Sequence, residues 1–290
     1  MACVIVWTPV MTEPFLEVRD LNVRFRDESG FASVPALDDI SFVVGAERVA
    51  LVGESGSGKS TAARAVMGLL PPSAKVAAKN LRFGPADLLS LDHAGWNALR
   101  GSGMGFVLQD PRFSLNPSRR IGWQVEEALR LHTRLTRKER RERALDMLSA
   151  VGLPSPLRIY ESFPGELSGG MGQRVMIAAM MINRPKLLIA DEPTSALDRD
   201  LRDQILDLMG RLTAEQGAGL LLISHDLQQV TRFADRVLVL YRGKIVDERR
   251  GHELSHSDHP YTRTLWAARP SAATYGTRLP VLRRDLGTMP

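Results

Sequence analysis

The run Gly53-Glu54-Ser55-Gly56-Ser57-Gly58-Lys59-Ser60-Thr61 fills the pattern G-x-x-x-x-G-K-S/T at every specified position. Each residue type serves phosphate chemistry. Glycines let the backbone turn tightly, so that successive N–H groups point at phosphate oxygens. The helix expected to open near Lys59 adds its positive N-terminal end. Lys59 has the reach and charge for the β- and γ-phosphates of a nucleotide, and Ser60 offers a hydroxyl to Mg²⁺. A chance glycine-rich turn is the plain alternative, and the flanks speak against it. Arg48 to Val52 is a short apolar run, and Ala62, Ala63, Val66, Leu69 and Leu70 follow at helical spacing until Pro71-Pro72.

A second constellation lies downstream. Leu187-Leu188-Ile189-Ala190-Asp191-Glu192-Pro193 reads as a buried strand ending in two carboxylates. In parallel sheets, ligands and reacting groups collect at the carboxyl ends of strands. Asp191 there can hold Mg²⁺, directly or through water, and Glu192 can polarise an attacking water. His225 follows the apolar run Leu220 to Ile223 and is expected at the same edge, near a γ-phosphate. Gln109, after Phe106-Val107-Leu108, can ligate Mg²⁺ or hold the water. Taken singly, the acid pair reads as a solvated strand end, His225 as a structural or exposed histidine, and Gln109 as a surface residue. The full phosphate loop upstream favours the chemical reading of all of them.

These groups need a scaffold that brings strand ends together. Residues 15–25 alternate in the manner of a strand, as do Asp39 to Val44, and Gly30 and Pro35 suggest a turn between them. From about 112 to 165 the pattern is helical, with Val125, Leu129, Leu145, Leu148 and Val151 as inward positions. Helices are expected over Gln173 to Asn183 and Leu201 to Glu215, and strands over Lys186 to Ala190 and Leu220 to Ile223. Residues 237–241 and 244–247 form an expected hairpin about Arg242-Gly243. Alternating buried strands and helices predict a mostly parallel α/β core.

Composition agrees with a chain that buries a core: 290 residues, 44% hydrophobic and 24% charged. It contains no apolar run of about 18 residues, the length a membrane-spanning helix requires. Met1 to Trp7 is apolar but lacks a basic flank, so it reads poorly as a signal peptide, and Met11 is an alternative start. The one cysteine, Cys3, leaves no set for zinc or an iron–sulfur cluster. The net charge of +5 suits an anionic partner or simple solubility. Its densest basic run, Arg134 to Arg143, contains Glu139 and Glu142 and reads as a solvated helix face rather than a nucleic-acid groove.

Together these motifs resemble the nucleotide-binding subunit of ABC transporters over about Phe15 to Arg269. The segment that carries the resemblance is Leu167-Ser168-Gly169-Gly170-Met171-Gly172-Gln173-Arg174, which looks like that family's signature. The resemblance implies a P-loop NTPase core of α/β class with a mostly parallel sheet, an antiparallel β subdomain and an inserted helical subdomain. It implies ATP and Mg²⁺ as ligands, with Ser168, Gly169, Gly170 and Gln173 gripping the γ-phosphate held by an opposite subunit. Ser195-Ala196-Leu197-Asp198 resembles the D-loop that crosses that interface, and Phe25 stands where the family often stacks an aromatic on adenine, with Phe31 close by.

A narrower likeness is to the oligopeptide, dipeptide and nickel import group. It rests on Val107-Leu108-Gln109-Asp110-Pro111 with Ser114-Leu115-Asn116-Pro117, on Ser168-Gly169-Gly170-Met171, and on His259-Pro260-Tyr261-Thr262-Arg263-Thr264-Leu265. The Met171 form looks like the first of two distinct ATPase subunits. The implied partners are a second, non-identical ATPase subunit, two transmembrane permeases and an extracytoplasmic solute-binding protein, with this chain on the cytoplasmic face of the inner membrane. The implied division is a tail over 1–14, an ATPase domain over 15–250 with its helical subdomain near 112–182, and an extension over 251–290. Two departures stand out. The tail lacks the cysteines of an iron–sulfur motif found in many members, and Gly172 sits inside the signature helix at a cost of roughly 1 kcal/mol relative to alanine. A soluble ABC ATPase acting on nucleic acid or the ribosome is the rival reading. The stretch between phosphate loop and signature lacks the sustained heptads of the DNA-repair relatives, and translation-factor relatives carry two ATPase units. A regulatory binder without turnover is a third reading, which Glu192 and His225 oppose.

Overall fold

A computed structural model describes residues 14–26, 32–195 and 197–269. Cys3, the alternative starts Met1 and Met11, Gly30, Phe31, Ala196 and the tail after Arg269 lie outside those residues.

Alternating apolar side chains build the first sheet. In β1 (Leu16–Arg26), Leu16, Val18, Leu21 and Val23 are buried, and β2 (Ala32–Val44) returns antiparallel with Leu16 opposite Val44. The sequence suggested a turn at Pro35. Pro35 instead lies inside β2, opposite Arg24, where the register slips. Proline has no N–H for the ladder, so it is tolerated at an irregular pairing of this kind.

The apolar run β3 (Arg48–Val52) enters a second sheet and leads through the phosphate loop into α1 (Lys59–Val66). This helix stops before Leu69 and Leu70, which the spacing had assigned to its inner face. Gly68 adopts φ 62° and turns the chain away, leaving Leu69 44% exposed. The short strands β4 (Ala74–Ala77), β5 (Asn80–Phe83) and β6 (Ala86–Asp87) rejoin the first sheet, whose order is β2-β1-β5-β6 with β4 also beside β1.

After α2 (His93–Leu99) comes β7 (Met104–Val107), and then a series of helices before the next strand. They are α3 (Pro111–Ser114), α4 (Ile121–Val125), α5 (Glu127–His132), α6 (Arg137–Ala150), α7 (Pro156–Glu161) and α8 (Gly169–Met181). Val125, Leu129, Leu148 and Val151 are buried as expected, whereas Leu145 is only half-buried and Ala144 takes the inward place. Their apolar cluster continues into Ala50, Ala190 and Leu222 of the second sheet. The basic run enters α6 and forms its first half. Thr136 and Glu139 cap it reciprocally, and Lys138 and Glu142 pair at the surface. Arg140 departs from the solvated face: its Nε lies 3.6 Å from the buried carboxylate of Glu126, which also accepts from the Tyr160 hydroxyl.

The chain then alternates as β8 (Leu187–Asp191), α9 (Arg199–Gln216), β9 (Gly219–Ile223), α10 (Leu227–Phe233) and β10 (Arg236–Tyr241). The expected hairpin is present, with β11 (Lys244–Arg250) antiparallel to β10, and α11 (Pro260–Ala267) follows. The second sheet has the order β11-β10-β3-β9-β8-β7 and is parallel apart from β11. Leu187 to Ala190 and Leu220 to Ile223 are buried throughout, as strands covered on both faces require. Among the described residues, no helix is long and apolar enough to cross a membrane.

Candidate functional site

Strand order assembles the site. The parallel register sets Leu51 of β3 beside Ile223 of β9, and Ile223 beside Asp191 of β8. The three carboxyl ends are therefore adjacent, and the chain beyond them stays stitched together. The Ser224 N–H donates to Leu51 O at 3.3 Å, and the Glu192 N–H donates to Ile223 O at 3.0 Å.

The phosphate loop leaves β3 at this edge. A side chain at Gly58 would strike Ala36 O of β2 at 2.7 Å, and Gly58 takes φ 109°, so only glycine fits the approach. Lys59 is buried at the start of α1, and its Nζ donates to Gly53 O at 2.9 Å and Glu54 O at 2.8 Å. Burial pulls the Lys59 ammonium below its usual pKa, while Glu192, Asp191 and Glu54 oppose that pull. Ser55 and Gly56 are exposed, Thr61 is half-buried in the first helical turn, and the Ser57 N–H closes the loop onto Glu54 O.

Ser60 Oγ donates to Asp191 Oδ1 at 2.8 Å, joining the two residues assigned to Mg²⁺. Burial raises the Asp191 pKa, and the bond from Ser60 with the charges of Arg64 and Lys59 works against it. Oxygen donors gathered here, with a carboxylate short of solvation, form the kind of set that suits a hard divalent cation. Next to them, Glu192 Oε2 lies 3.2 Å from His225 Nδ1. Gln109 follows β7, whose Val107 pairs with Ala190, and its side chain is exposed. Phe25 is half-buried on β1 opposite Ala74, packed on the core of the first sheet.

The signature segment opens α8. Ser168 is exposed and its hydroxyl accepts from the Met171 N–H at 3.4 Å, capping the helix. Gly169 is exposed, and Gly170 lets Leu201 of α9 approach. Gln173 does not join them: it is 1% exposed, and its Nε2 has no partner among the described residues. One helical turn beyond the cap, Gln173 is on the inner side of α8. In the segment after β8, the Ser195 N–H donates to Glu192 O and the Leu197 N–H to Thr194 O, each at 3.2 Å. The Asp198 carboxylate caps α9 by accepting from Leu201 N–H at 3.0 Å. Sequence reasoning gave Tyr261 no part in the site, yet its hydroxyl accepts from the Glu54 N–H at 3.1 Å. No local signal announces a contact across so much chain.

Comparison with known proteins agrees with this geometry. Residues 37–195 match the ABC transporter family. The peptidoglycan transport ATP-binding protein YejF of Agrobacterium fabrum is 46% identical over 262 residues, which are 89% of this chain and 48% of that protein. The chain therefore spans about half the length of that relative. The dipeptide transport ATP-binding protein DppD of Haemophilus influenzae is 42% identical over 270 residues, covering 92% of this chain and 81% of that one. Among solved structures, a dimeric ATP-binding cassette in a post-hydrolysis state with ADP and Pi aligns with a TM-score of 0.69. It is 29% identical and covers 81% of this chain and 98% of its own.

Proposed function

The chain belongs to the ABC transporter family, and on that premise we propose that it is the ATP-hydrolysing subunit of a peptide importer. One observation carries the reading. Lys59, the Ser60–Asp191 pair and the Glu192–His225 pair meet at the ends of β3, β8 and β9. The cargo class is supported by relatives named for dipeptide and peptidoglycan transport.

The phosphate loop binds the triphosphate through its backbone N–H groups and the N-terminus of α1. Lys59 has three N–H donors, and Gly53 and Glu54 carbonyls take two, leaving the third for a phosphate oxygen. Ser60, Asp191 and Gln109 would hold Mg²⁺. When bound, that ion neutralises charge on the β- and γ-phosphates. The Glu192 carboxylate orients the attacking water and draws its proton, and His225 Nδ1 fixes the carboxylate in that aim. The exposed Ser168 and Gly169 at the start of α8 complete the phosphate loop of a second, non-identical ATPase subunit, with the segment Ser195 to Asp198 at the same interface. Two permeases and an extracytoplasmic binding protein make up the rest of the assembly. The chain then sits peripherally on the cytoplasmic face of the inner membrane. Residues 15–250 form the ATPase unit, the helices near 112–182 relay its motion to the permeases, and 251–290 extend it.

The test is ATP hydrolysis by the assembled transporter in liposomes, with and without di- and oligopeptides. Peptide-dependent turnover is the expected result. Turnover indifferent to any peptide overturns the cargo class, and absence of turnover overturns the reading as a whole.

A further inference from the structure

One buried carboxylate of the second sheet gathers hydrogen bonds from the C-terminal extension. Asp247 of β11 accepts hydrogen bonds from Ser257 Oγ, from Thr262 Oγ1 at 2.8 Å and from Arg249 Nε at 3.0 Å. Its side chain is only 7% exposed. Burial alone would raise its pKa, but the bonds from Ser257, Thr262 and Arg249 outweigh that and hold the carboxyl below the usual range. Ser257 also accepts from the His259 N–H at 3.1 Å, so both sides of the start of α11 are held.

That anchorage delivers Tyr261 to the phosphate loop. Its ring, 1% exposed, packs on Tyr241 at the end of β10 with centroids 4.3 Å apart. Gly53 presses on the same strand, since a Cβ there would lie 2.2 Å from Leu240 O. The Tyr261 hydroxyl then accepts the Glu54 N–H at 3.1 Å. Burial pushes its pKa up to about 12, so the phenol stays neutral. The Gly53–Glu54 segment is thus gripped from two directions. Tyr261 holds its amide, and Lys59 holds its carbonyls.

Resting on the reading of this loop as an ATP site, we propose that Tyr261 is a positioning residue for nucleotide. Through the Glu54 N–H it fixes the entry of the phosphate loop and makes α11 part of the ATP site's support. A ring that merely docked the extension would need no hydroxyl. The packing on Tyr241 supplies that role, and the hydroxyl instead meets the backbone of the loop whose carbonyls steady Lys59.

The experiment is Tyr261→Phe in the full chain, which keeps the ring and removes the acceptor. Amide exchange at Glu54 should accelerate. ATP affinity by calorimetry should fall by about threefold to tenfold, the weight of one hydrogen bond to a partly buried amide. In the assembled transporter, KM for ATP should rise while kcat stays within about twofold, as loss of ground-state positioning requires. Unchanged affinity with wild-type Tm overturns the proposal. Thr262→Val loosens the anchor at Asp247 without removing the phenol, so ATP affinity should fall only as far as Glu54 exchange accelerates. Lost affinity with slow exchange in that variant also overturns it. Failure of the wild-type chain to bind ATP would sink the ATPase reading itself. Tight wild-type binding with an unaffected Tyr261→Phe sinks only this inference.

Discussion

Glu192 Oε2 lies 3.2 Å from His225 Nδ1, and Glu192 makes this contact from a left-handed backbone at φ 48°. A glutamate in that region is uncommon, and such conformations persist where the surroundings over-determine them. Here the Glu192 N–H is tied to Ile223 O, its carbonyl accepts from the Ser195 N–H, and its side chain meets His225. Glu192→Gln keeps the shape and removes the proton acceptor. ATP binding should persist while turnover falls by about a hundredfold or more, as loss of a general base entails. Wild-type turnover in steady-state assays would remove Glu192 from its role. His225→Ala should also slow turnover while leaving ATP affinity in place.

Lys59 binds its own loop in the same region that would receive phosphate. Lys59→Ala removes both carbonyl bonds and the buried charge, which Asp191 and Glu192 face. Calorimetry should find ATP affinity weakened by roughly tenfold to a hundredfold, the range for a charge-assisted hydrogen bond. Unchanged affinity contradicts the assignment.

The phosphate loop and the acid pair were legible because their residues are neighbours in the chain. His225 was legible by a longer step. Once Lys186 to Ala190 and Leu220 to Ile223 read as buried strands of a mostly parallel sheet, their ends share one edge, and the observed register of Asp191 beside Ile223 makes the contact. Pro35 misled because a proline reads as a turn unless the irregular pairing with Arg24 is known. Gln173 misled because the signature gives spacing along α8 but not which side of the helix meets the core. Arg140 looked solvated because its partner Glu126 lies on a different helix. The contact of Tyr261 with Glu54 depends on how β10 and α11 fold back, which no local pattern encodes.

Gly172 shows why a helix-weakening residue can be open to replacement. A Cβ there would meet Pro111 Cβ and Cγ at 3.4 Å, an ordinary contact distance. Gly172→Ala should therefore recover helix propensity without a clash and stabilise the chain by up to about 1 kcal/mol. Urea denaturation checks this, and clear destabilisation would mean that Pro111 needs the space.

Glu126 is buried on α4 and α5's junction, with Arg140 Nε 3.6 Å away and the Tyr160 hydroxyl donating to it. Glu126→Leu takes the acceptor from the Tyr160 hydroxyl and the counter-charge from Arg140. Breaking a buried pair from one side costs roughly 3 kcal/mol, and the Arg140 side chain keeps its bond to Leu135 O. Thermal unfolding should report a loss of that order. A neutral result would assign the helical packing to its apolar residues alone.

Ser168 tests whether the ATP site is shared between chains. It is exposed, caps α8, and stands away from the contacts that hold this chain's own phosphate loop. Ser168→Arg puts a bulky cation where the γ-phosphate of a partner's nucleotide would approach. The isolated variant should bind ATP as the wild type does, since Lys59, Ser60 and Asp191 are untouched. In the purified two-subunit complex, hydrolysis at the site completed by this chain should fail, while the other composite site keeps its chemistry. Normal turnover of the complex would separate Ser168 from catalysis, and lost ATP binding by the isolated chain would mean that α8 acts on its own phosphate loop instead.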